Sequence, residues 1–134
     1  FMSGHDDFKV PKGEEARWPA HVRSVRVDHC PHSYGLVLRV PGAQIVYSGD
    51  CRPSKDLVAA ALGSGVPTWL VHEATYNPDE QQNATAVRHS TTTEALHIGE
   101  QMSAASVLLT HFSQRYPSIA LGGSRGGGKP MGDE

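Results

Sequence analysis

The sequence predicts an α/β fold, because apolar runs of strand length alternate with stretches in which apolar residues recur at helical spacing. Three of the apolar runs end on an acidic residue or a histidine, and ligand-type side chains collected at one sheet edge are a common basis for catalysis or metal binding. The residues at these three ends are Asp50, His72 with Glu73, and His111.

The first third of the chain predicts a loop followed by three strands. Residues 1–20 mix charges with glycine and proline without a sustained period, so we interpret them as a loop or linker. Residues 22–28 alternate apolar and polar side chains, as a half-buried strand does. Residues 34–40 predict the next strand, and a Pro-Gly turn leads directly from it into a third strand, residues 44–47.

After Asp50 the apolar period becomes helical. Ser54 can cap a helix, and Gly63 with Gly65 would end it. Residues 66–71 then predict a buried strand. The positions expected on the buried face of the helix are Leu57, Val58, Ala61 and Leu62.

The last part of the chain predicts a second long helix and a final strand. The polar residues 76–88 leave room for a short helix, and Thr91 with Glu94 has the spacing of a capping box. Residues 107–110 predict the final strand, whereas residues 122–134 are too rich in glycine to pack and predict a flexible tail. The apolar positions expected after the capping box are Leu96, Ile98, Met102 and Ala105.

Composition restricts the class of protein. The 134 residues suffice for one domain, and 38% hydrophobic with 19% charged residues is typical of a globular chain. No apolar run approaches the roughly 18 residues that would span a bilayer, so no membrane partner is expected. A net charge of −2 gives no overall attraction for nucleic acid, and two cysteines, Cys30 and Cys51, favour a reduced, intracellular setting over a disulfide framework.

Several residues at predicted strand ends are candidates for metal binding. His29, Asp50 and His111 each follow a strand, and two imidazoles with a carboxylate suit zinc or another divalent metal. Spacing supports this only weakly, since Asp50 could equally cap a turn and either histidine could be an ordinary strand-end residue. His72 and Glu73 would point to opposite faces of a strand, and we favour Glu73 as the functional one.

Four motifs together resemble one known family. They are Y-S-G-D at 47–50, H-E-A-T at 72–75, H-S-T at 89–91 and T-H-F-S-Q-R-Y at 110–116. Their order and approximate spacing resemble tRNase Z, the 3′-processing endoribonuclease of the metallo-β-lactamase fold, and F-S-Q-R-Y is most similar to the long eukaryotic form. The resemblance implies that residues 21–121 are the C-terminal half of an αββα sandwich: a mixed sheet with helices on its outer face.

The resemblance also implies roles for five residues. His29 would bind one zinc, Asp50 would bridge two, and His111 would bind the second, with Mn²⁺ as an alternative metal. Glu73 and His89 would act as a unit at the scissile phosphate of a pre-tRNA, with His89 contacting it or protonating the leaving oxygen. Asp50, Glu73 and His89 are therefore the expected catalytic residues, and the two metals would activate water. Resemblance to the long form places such an enzyme in the nucleus, the mitochondrion or both.

The sequence departs from the family in two respects that matter. The family's H-x-H-x-D-H motif does not occur in the 134 residues, and three ligands cannot complete two four-coordinate zinc sites. We therefore expect the chain alone to be inactive, with the motif and a second sheet supplied by an N-terminal half of the same protein. Cys51 stands where the family usually has threonine, and a small buried residue is expected there.

Two other functions stay open at this point. One is a different hydrolase of the same fold, acting on a small ester or another nucleic acid. The other is a non-catalytic scaffold or interaction half that has lost the metal motif.

Overall fold

The protein is described by a computed structural model that covers residues 7–8 and 21–113. This part of the chain forms six strands, three α-helices and one 3-10 helix. The strands are β1 Asp7–Phe8, β2 His21–Arg26, β3 Tyr34–Val40, β4 Ala43–Tyr47, β5 Thr68–Glu73 and β6 Ser106–Thr110. The helices are α1 Lys55–Ala61, the 3-10 helix Pro78–Glu80, α2 Gln81–Val87 and α3 Thr92–Gln101.

The strands form one mixed sheet whose spatial order follows the chain, β1-β2-β3-β4-β5-β6. The first four strands pair antiparallel, while β4, β5 and β6 are parallel. Helix α1 connects β4 to β5, and α2 with α3 connects β5 to β6, as parallel pairing requires. As a result β2, β4, β5 and β6 all run in one direction and end at the same edge of the sheet. The expected mixed sheet with helices is confirmed.

Helices α1 and α3 lie against one face of the sheet, and local sequence explains where each begins. The Ser54 hydroxyl accepts a hydrogen bond from the backbone N–H of Leu57, which caps α1. At α3 the predicted capping box is present: Glu94 N–H donates to Thr91 Oγ1 at 3.3 Å, and Thr91 N–H donates to Glu94 Oε2 at 2.9 Å. The core between sheet and helices includes Val25, Val37, Val46, Leu57, Leu70, Ile98 and Met102.

The opposite face of the sheet carries large apolar side chains that the described residues leave accessible. Ile45 is 38% exposed, Tyr47 44%, Trp69 54% and Leu108 61%. These four side chains alternate with buried or half-buried residues along three neighbouring strands, and Ile45 lies directly opposite Trp69. We call this set the open face. Large exposed apolar side chains grouped on one sheet face are typical of a surface that packs against another element.

Several predicted boundaries and buried positions were wrong. Leu62 is 50% exposed because the chain already leaves the helix there with extended backbone, and Ala60 is buried instead. Leu96 is 48% exposed because α3 turns Ala95 and Gly99 toward the sheet. Ala105 is exposed, because it follows the helix rather than extending it.

Strand and loop bounds also differ from the expected ones. The strand expected at 22–28 is β2, His21–Arg26, and the one expected at 66–71 is β5, Thr68–Glu73. The second shift arises because the Ser64 hydroxyl donates to the Val66 carbonyl and holds that residue in the preceding turn. Within 1–20, interpreted as a loop, Asp7–Phe8 pairs with β2. The tail expected at 122–134 lies outside the described residues.

No described helix is suited to crossing a membrane, since the longest one has ten residues.

Candidate active site

The predicted site residues meet at the edge where β2, β4, β5 and β6 end. His29 lies in the loop after β2, Asp50 follows β4, Glu73 is the last residue of β5, and His111 follows β6. His89 comes from the segment between α2 and α3. Since strands running the same way end at the same edge, the sheet brings together residues up to 82 positions apart in the chain.

The backbone after β4 makes a turn that presents Asp50. Gly49 has φ of +62°, and a Cβ on it would lie 2.8 Å from the carbonyl oxygen of Tyr34, so both conformation and space require glycine. The Ser48 hydroxyl donates to the Gly49 carbonyl at 2.6 Å and accepts from the backbone N–H of Glu73 at 3.0 Å. The Asp50 side chain is 40% exposed, and its Oδ1 lies 3.4 Å from Nδ1 of His111.

Glu73 is the most connected side chain of the site. Its carboxylate is 2% exposed, and its Oε1 accepts from Cys51 N–H at 2.9 Å and from Nδ1 of His89 at 2.7 Å. Its Oε2 accepts from the N–H and the hydroxyl of Thr75, at 3.1 and 2.9 Å, and from Ser90 N–H at 3.1 Å. One buried carboxylate thus joins the turn after β4, the end of β5 and the segment before α3.

His89 is oriented by this carboxylate. An ionised carboxylate can only accept a hydrogen bond, so Nδ1 of His89 carries the proton and Nε2 stays available. The ring centroid lies 5.3 Å from that of His111 and 4.6 Å from that of His29. Three imidazoles therefore stand side by side, and the His111 ring is the more exposed, at 48% against 15% for His89.

One group of possible metal-ligand side chains lies close together, and it shares Asp50 and His111 with the predicted ligands. Among the described residues, Asp50, His89 and His111 offer ligand atoms that all lie within 4.8 Å of one another. A carboxylate with two imidazoles is a donor set that suits zinc. His29 lies beside this group but outside it, and its Nδ1 is 2.9 Å from the carbonyl oxygen of Arg88. Three protein ligands fit one metal, with at least one coordination position left for another donor.

The sequence did not reveal Thr75 as part of the site. Its hydroxyl oxygen lies 2.8 Å from Nδ1 of His111 and 3.2 Å from Nδ1 of His89, and it also donates to Glu73. Thr75 therefore touches both histidines and the buried carboxylate. Its place as the last residue of H-E-A-T was the only available signal.

Arg52 is a second residue that the sequence did not single out. It donates to the carbonyl oxygen of His89 at 2.6 Å and forms a two-bonded ion pair with the carboxylate of Glu94. Burial alone would raise the pKa of Glu94, but hydrogen bonds from Arg52, from Thr91 N–H and from Gln81 outweigh it and lower the pKa. Arg52 thereby ties the turn after Asp50 to the residue His89 and to the N-terminus of α3.

Two buried residues beside the site, His72 and Cys51, lie in surroundings that indicate a structural role. His72 is fully buried on the helix side of β5, and burial lowers its pKa, so the imidazole stays neutral. Strand β5 continues through Glu73, so the side chains of His72 and Glu73 point to opposite faces of the sheet. Cys51 is fully buried as expected, and burial, reinforced by the charge of Glu73, raises the pKa of its thiol to about 12. A thiol with that pKa is protonated near neutral pH in the metal-free chain.

Comparisons with known proteins agree with the resemblance drawn from the four motifs. Residues 6–112 match the family model described as a beta-lactamase superfamily domain. The chain is 41% identical over 112 residues to "tRNAse Z TRZ4, mitochondrial" of Arabidopsis thaliana, covering 75% of the chain and 12% of that protein. It is 40% identical over 120 residues to "Zinc phosphodiesterase ELAC protein 2 homolog" of Caenorhabditis elegans, covering 90% of the chain and 13% of that protein.

A solved structure agrees as well. The crystal structure of a long form RNase Z from yeast superposes with a TM-score of 0.65 at 29% identity, over 75% of the chain and 14% of that protein. The chain therefore spans about an eighth of the length of these relatives. The resemblance to tRNase Z is confirmed at the level of sequence and fold.

Proposed function

Because the chain belongs to the beta-lactamase superfamily, we propose that it supplies part of the active site of a tRNA 3′-processing endoribonuclease, which removes 3′ trailers from pre-tRNA. The observation that carries the proposal is the hydrogen bond between the buried Glu73 carboxylate and His89, beside Asp50 and His111. The relatives named above are called tRNase Z or zinc phosphodiesterase, which supports the same reaction class.

The metal-binding part of the proposal rests on the chemistry of the donors. Asp50 and His111, with His29 as the third ligand, would hold zinc or manganese, which leaves Nε2 of His89 free to carry a proton. A divalent metal at such a site lowers the pKa of water and neutralises charge on a phosphodiester. Asp50 is best placed to bridge two metals, because its carboxylate is accessible and has two oxygens.

The acid–base part of the proposal rests on the Glu73–His89 pair. With Nδ1 donating to Glu73, a second proton on Nε2 makes an imidazolium that the carboxylate stabilises. His89 can then give the Nε2 proton to the 3′-oxygen that leaves when the P–O bond breaks. The products are a tRNA with a free 3′-hydroxyl and a trailer with a 5′-phosphate. Arg52 donates to the carbonyl oxygen of His89 and so fixes the backbone from which the ring reaches Glu73.

The partner part of the proposal follows from incomplete coordination and from the open face. Three ligands do not complete two four-coordinate metals, so an N-terminal half of the same protein would carry H-x-H-x-D-H. A second sheet from that half would cover Ile45, Tyr47, Trp69 and Leu108, which are 38% to 61% exposed. The relative from Arabidopsis is named mitochondrial, which supports a mitochondrial location, with the nucleus as the second proposed site.

The test is cleavage of a 3′-extended pre-tRNA by the chain assembled with that N-terminal half. We expect no cleavage by the chain alone, and at least a 10²-fold loss for Asp50→Ala in the assembled protein. Glu100→Ala is the control, because Glu100 is an exposed carboxylate in the last turn of α3.

Three outcomes would contradict the proposal. Full activity of Asp50→Ala in the assembled protein would favour a scaffold role for this half. Faster cleavage of a small phosphodiester than of the pre-tRNA would favour another hydrolase of the fold. Tight stoichiometric zinc on the chain alone would contradict a site shared between two halves.

A further inference from the structure

Thr75 occupies a position between the two functional histidines and the buried carboxylate. Its hydroxyl oxygen is 2.9 Å from Oε2 of Glu73, 2.8 Å from Nδ1 of His111 and 3.2 Å from Nδ1 of His89. The backbone N–H of Thr75 also donates to Oε2 of Glu73. Two hydrogen bonds to the carboxylate therefore hold Thr75 in place, and its hydroxyl oxygen faces the two histidines.

Counting donors and acceptors fixes the direction of these bonds. A hydroxyl has one proton and two lone pairs, and the Glu73 carboxylate can only accept, so the proton of Thr75 goes to Oε2. Nδ1 of His89 already donates to Oε1 of Glu73 over 2.7 Å, a shorter distance than its 3.2 Å to Thr75. The free lone pairs of Thr75 thus face Nδ1 of His111, which must carry a proton to use them.

His111 needs such an anchor more than its neighbours do. Its side chain is 48% exposed, so packing restrains the ring little. Its backbone has φ of +58°, a left-handed conformation that is uncommon outside glycine and depends on contacts with the surrounding structure. The next acceptor near Nδ1 is Oδ1 of Asp50 at 3.4 Å, beyond good hydrogen-bond distance for a ring nitrogen.

We propose that Thr75 is a positioning residue that keeps His111 in the Nδ1–H tautomer and so directs the Nε2 lone pair of His111 to the metal. The Glu73 carboxylate then orients both histidines, His89 directly and His111 through the threonine hydroxyl. A histidine ligand whose second nitrogen is fixed by a hydrogen-bond chain binds metal more tightly and in one orientation. The metal part of this inference rests on the proposed function, whereas the tautomer does not.

Without the hydroxyl, Nδ1–H of His111 has Asp50 as its nearest remaining acceptor. The ring would then turn toward Asp50 or exchange its proton to Nε2. Either change would remove a ligand atom from the candidate metal site, since Asp50 and His111 are both members of the donor group.

The decisive experiment reads the tautomer by ¹⁵N NMR of the imidazole rings in the metal-free 134-residue chain, at about pH 8, where an ordinary imidazole is neutral. We expect Nδ1–H for His111 in the wild type and in Thr75→Ser, and a mixed or Nε2–H tautomer in Thr75→Val. Thr93→Val is the control, because Thr93 is an exposed threonine of α3. If Thr75→Val does not fold, Thr75→Ala removes the same hydroxyl and carries the same expectation.

A second readout follows the metal itself. In the protein assembled with the N-terminal half, zinc affinity in chelator competition should fall about 10- to 100-fold for Thr75→Val and change less than about threefold for Thr75→Ser. An unchanged His111 tautomer in Thr75→Val would overturn the inference, as would equal zinc affinity of the serine and valine variants. The expected tautomers together with no cleavage of pre-tRNA by the wild type would leave the inference standing and refute the proposed function.

Discussion

Replacing Glu73 by glutamine tests the central hydrogen-bond network, because the two side chains have nearly the same shape. An amide offers one acceptor oxygen and one NH₂ group, whereas Oε1 of Glu73 faces two donors and Oε2 faces three. In either orientation the NH₂ group meets donors. The less costly orientation directs the NH₂ group at Nδ1 of His89 and at the backbone N–H of Cys51. His89 can change tautomer and accept the new hydrogen bond, whereas the N–H of Cys51 can only donate and is left without an acceptor.

The structure sets the size of the effect. One buried backbone donor left unpaired costs about 1–3 kcal/mol, and the bonds that remain lose the added strength of a charged acceptor. We therefore expect Glu73→Gln to lower the free energy of unfolding by at least about 2 kcal/mol. Since His89 would no longer have an anionic partner for its imidazolium, cleavage of pre-tRNA should fall about 10²- to 10⁴-fold as well.

Urea denaturation of the chain measures the first effect and pre-tRNA cleavage by the assembled protein the second. Glu100→Gln is the matched control: its side chain is 78% exposed on α3, and its stability should stay within about 0.5 kcal/mol of the wild type. The reasoning fails if Glu73→Gln is as stable as Glu100→Gln, because the five donors would then not depend on the carboxylate.

Two further predictions concern the core beneath the site. A methyl group at Gly99 of α3 would overlap Cγ2 of Val107, so Gly99→Ala should lower the free energy of unfolding by about 1–2 kcal/mol, although alanine has the better helix propensity. Val107→Ala removes that overlap, so a double-mutant cycle measured by thermal unfolding should show the cost relieved. His72 has a lowered pKa in the folded state, so unfolding takes up a proton below the ordinary imidazole pKa of about 6.5, and stability should fall as the pH drops through that value. His72→Gln should flatten this part of the pH dependence in urea titrations between about pH 7.5 and 5.5, and an unchanged slope would contradict a buried neutral His72.

Capping residues in the sequence showed where the helices begin, but the apolar pattern did not show where their buried faces end. Ser54 and the Thr91–Glu94 pair act on backbone groups within three residues, so their spacing alone reports where each helix begins. Leu62 fitted the apolar period of α1, but α1 ends after seven residues and the side chain leaves the core. A period continues past a helix end, and only tertiary structure shows where the chain turns away.

The residues of the site were likewise predictable from the sequence only in part. Asp50, Glu73 and His111 were predictable as a group, because strands that run the same way bring their ends to one edge. The bonds of Glu73 to Cys51 N–H and Ser90 N–H were not predictable, since every residue except proline has a backbone N–H and the donor leaves no mark in the sequence.

The position of His29 depended on a still longer contact. Its Nδ1 lies against the carbonyl of Arg88, 59 residues away, and the Arg88 side chain in turn donates to the His29 carbonyl at 3.0 Å. No spacing within the loop after β2 encodes that pairing. The sequence grouped His29 with Asp50 and His111 because each follows a strand, whereas in the folded chain the ligand atoms within 4.8 Å of one another belong to Asp50, His89 and His111.

The chain completes one side of its site and leaves the other open, and burial distinguishes the two. Glu73 is 2% exposed and satisfied by donors from three segments of this chain, so the orientation of His89 depends on no other polypeptide. Asp50 is 40% exposed beside His89 and His111, an arrangement that leaves its oxygens accessible to further partners. Under the proposed function, the Glu73–His89 geometry is therefore preorganised before assembly, and an N-terminal half would add metal ligands and a cover for the open face rather than a rearrangement of His89.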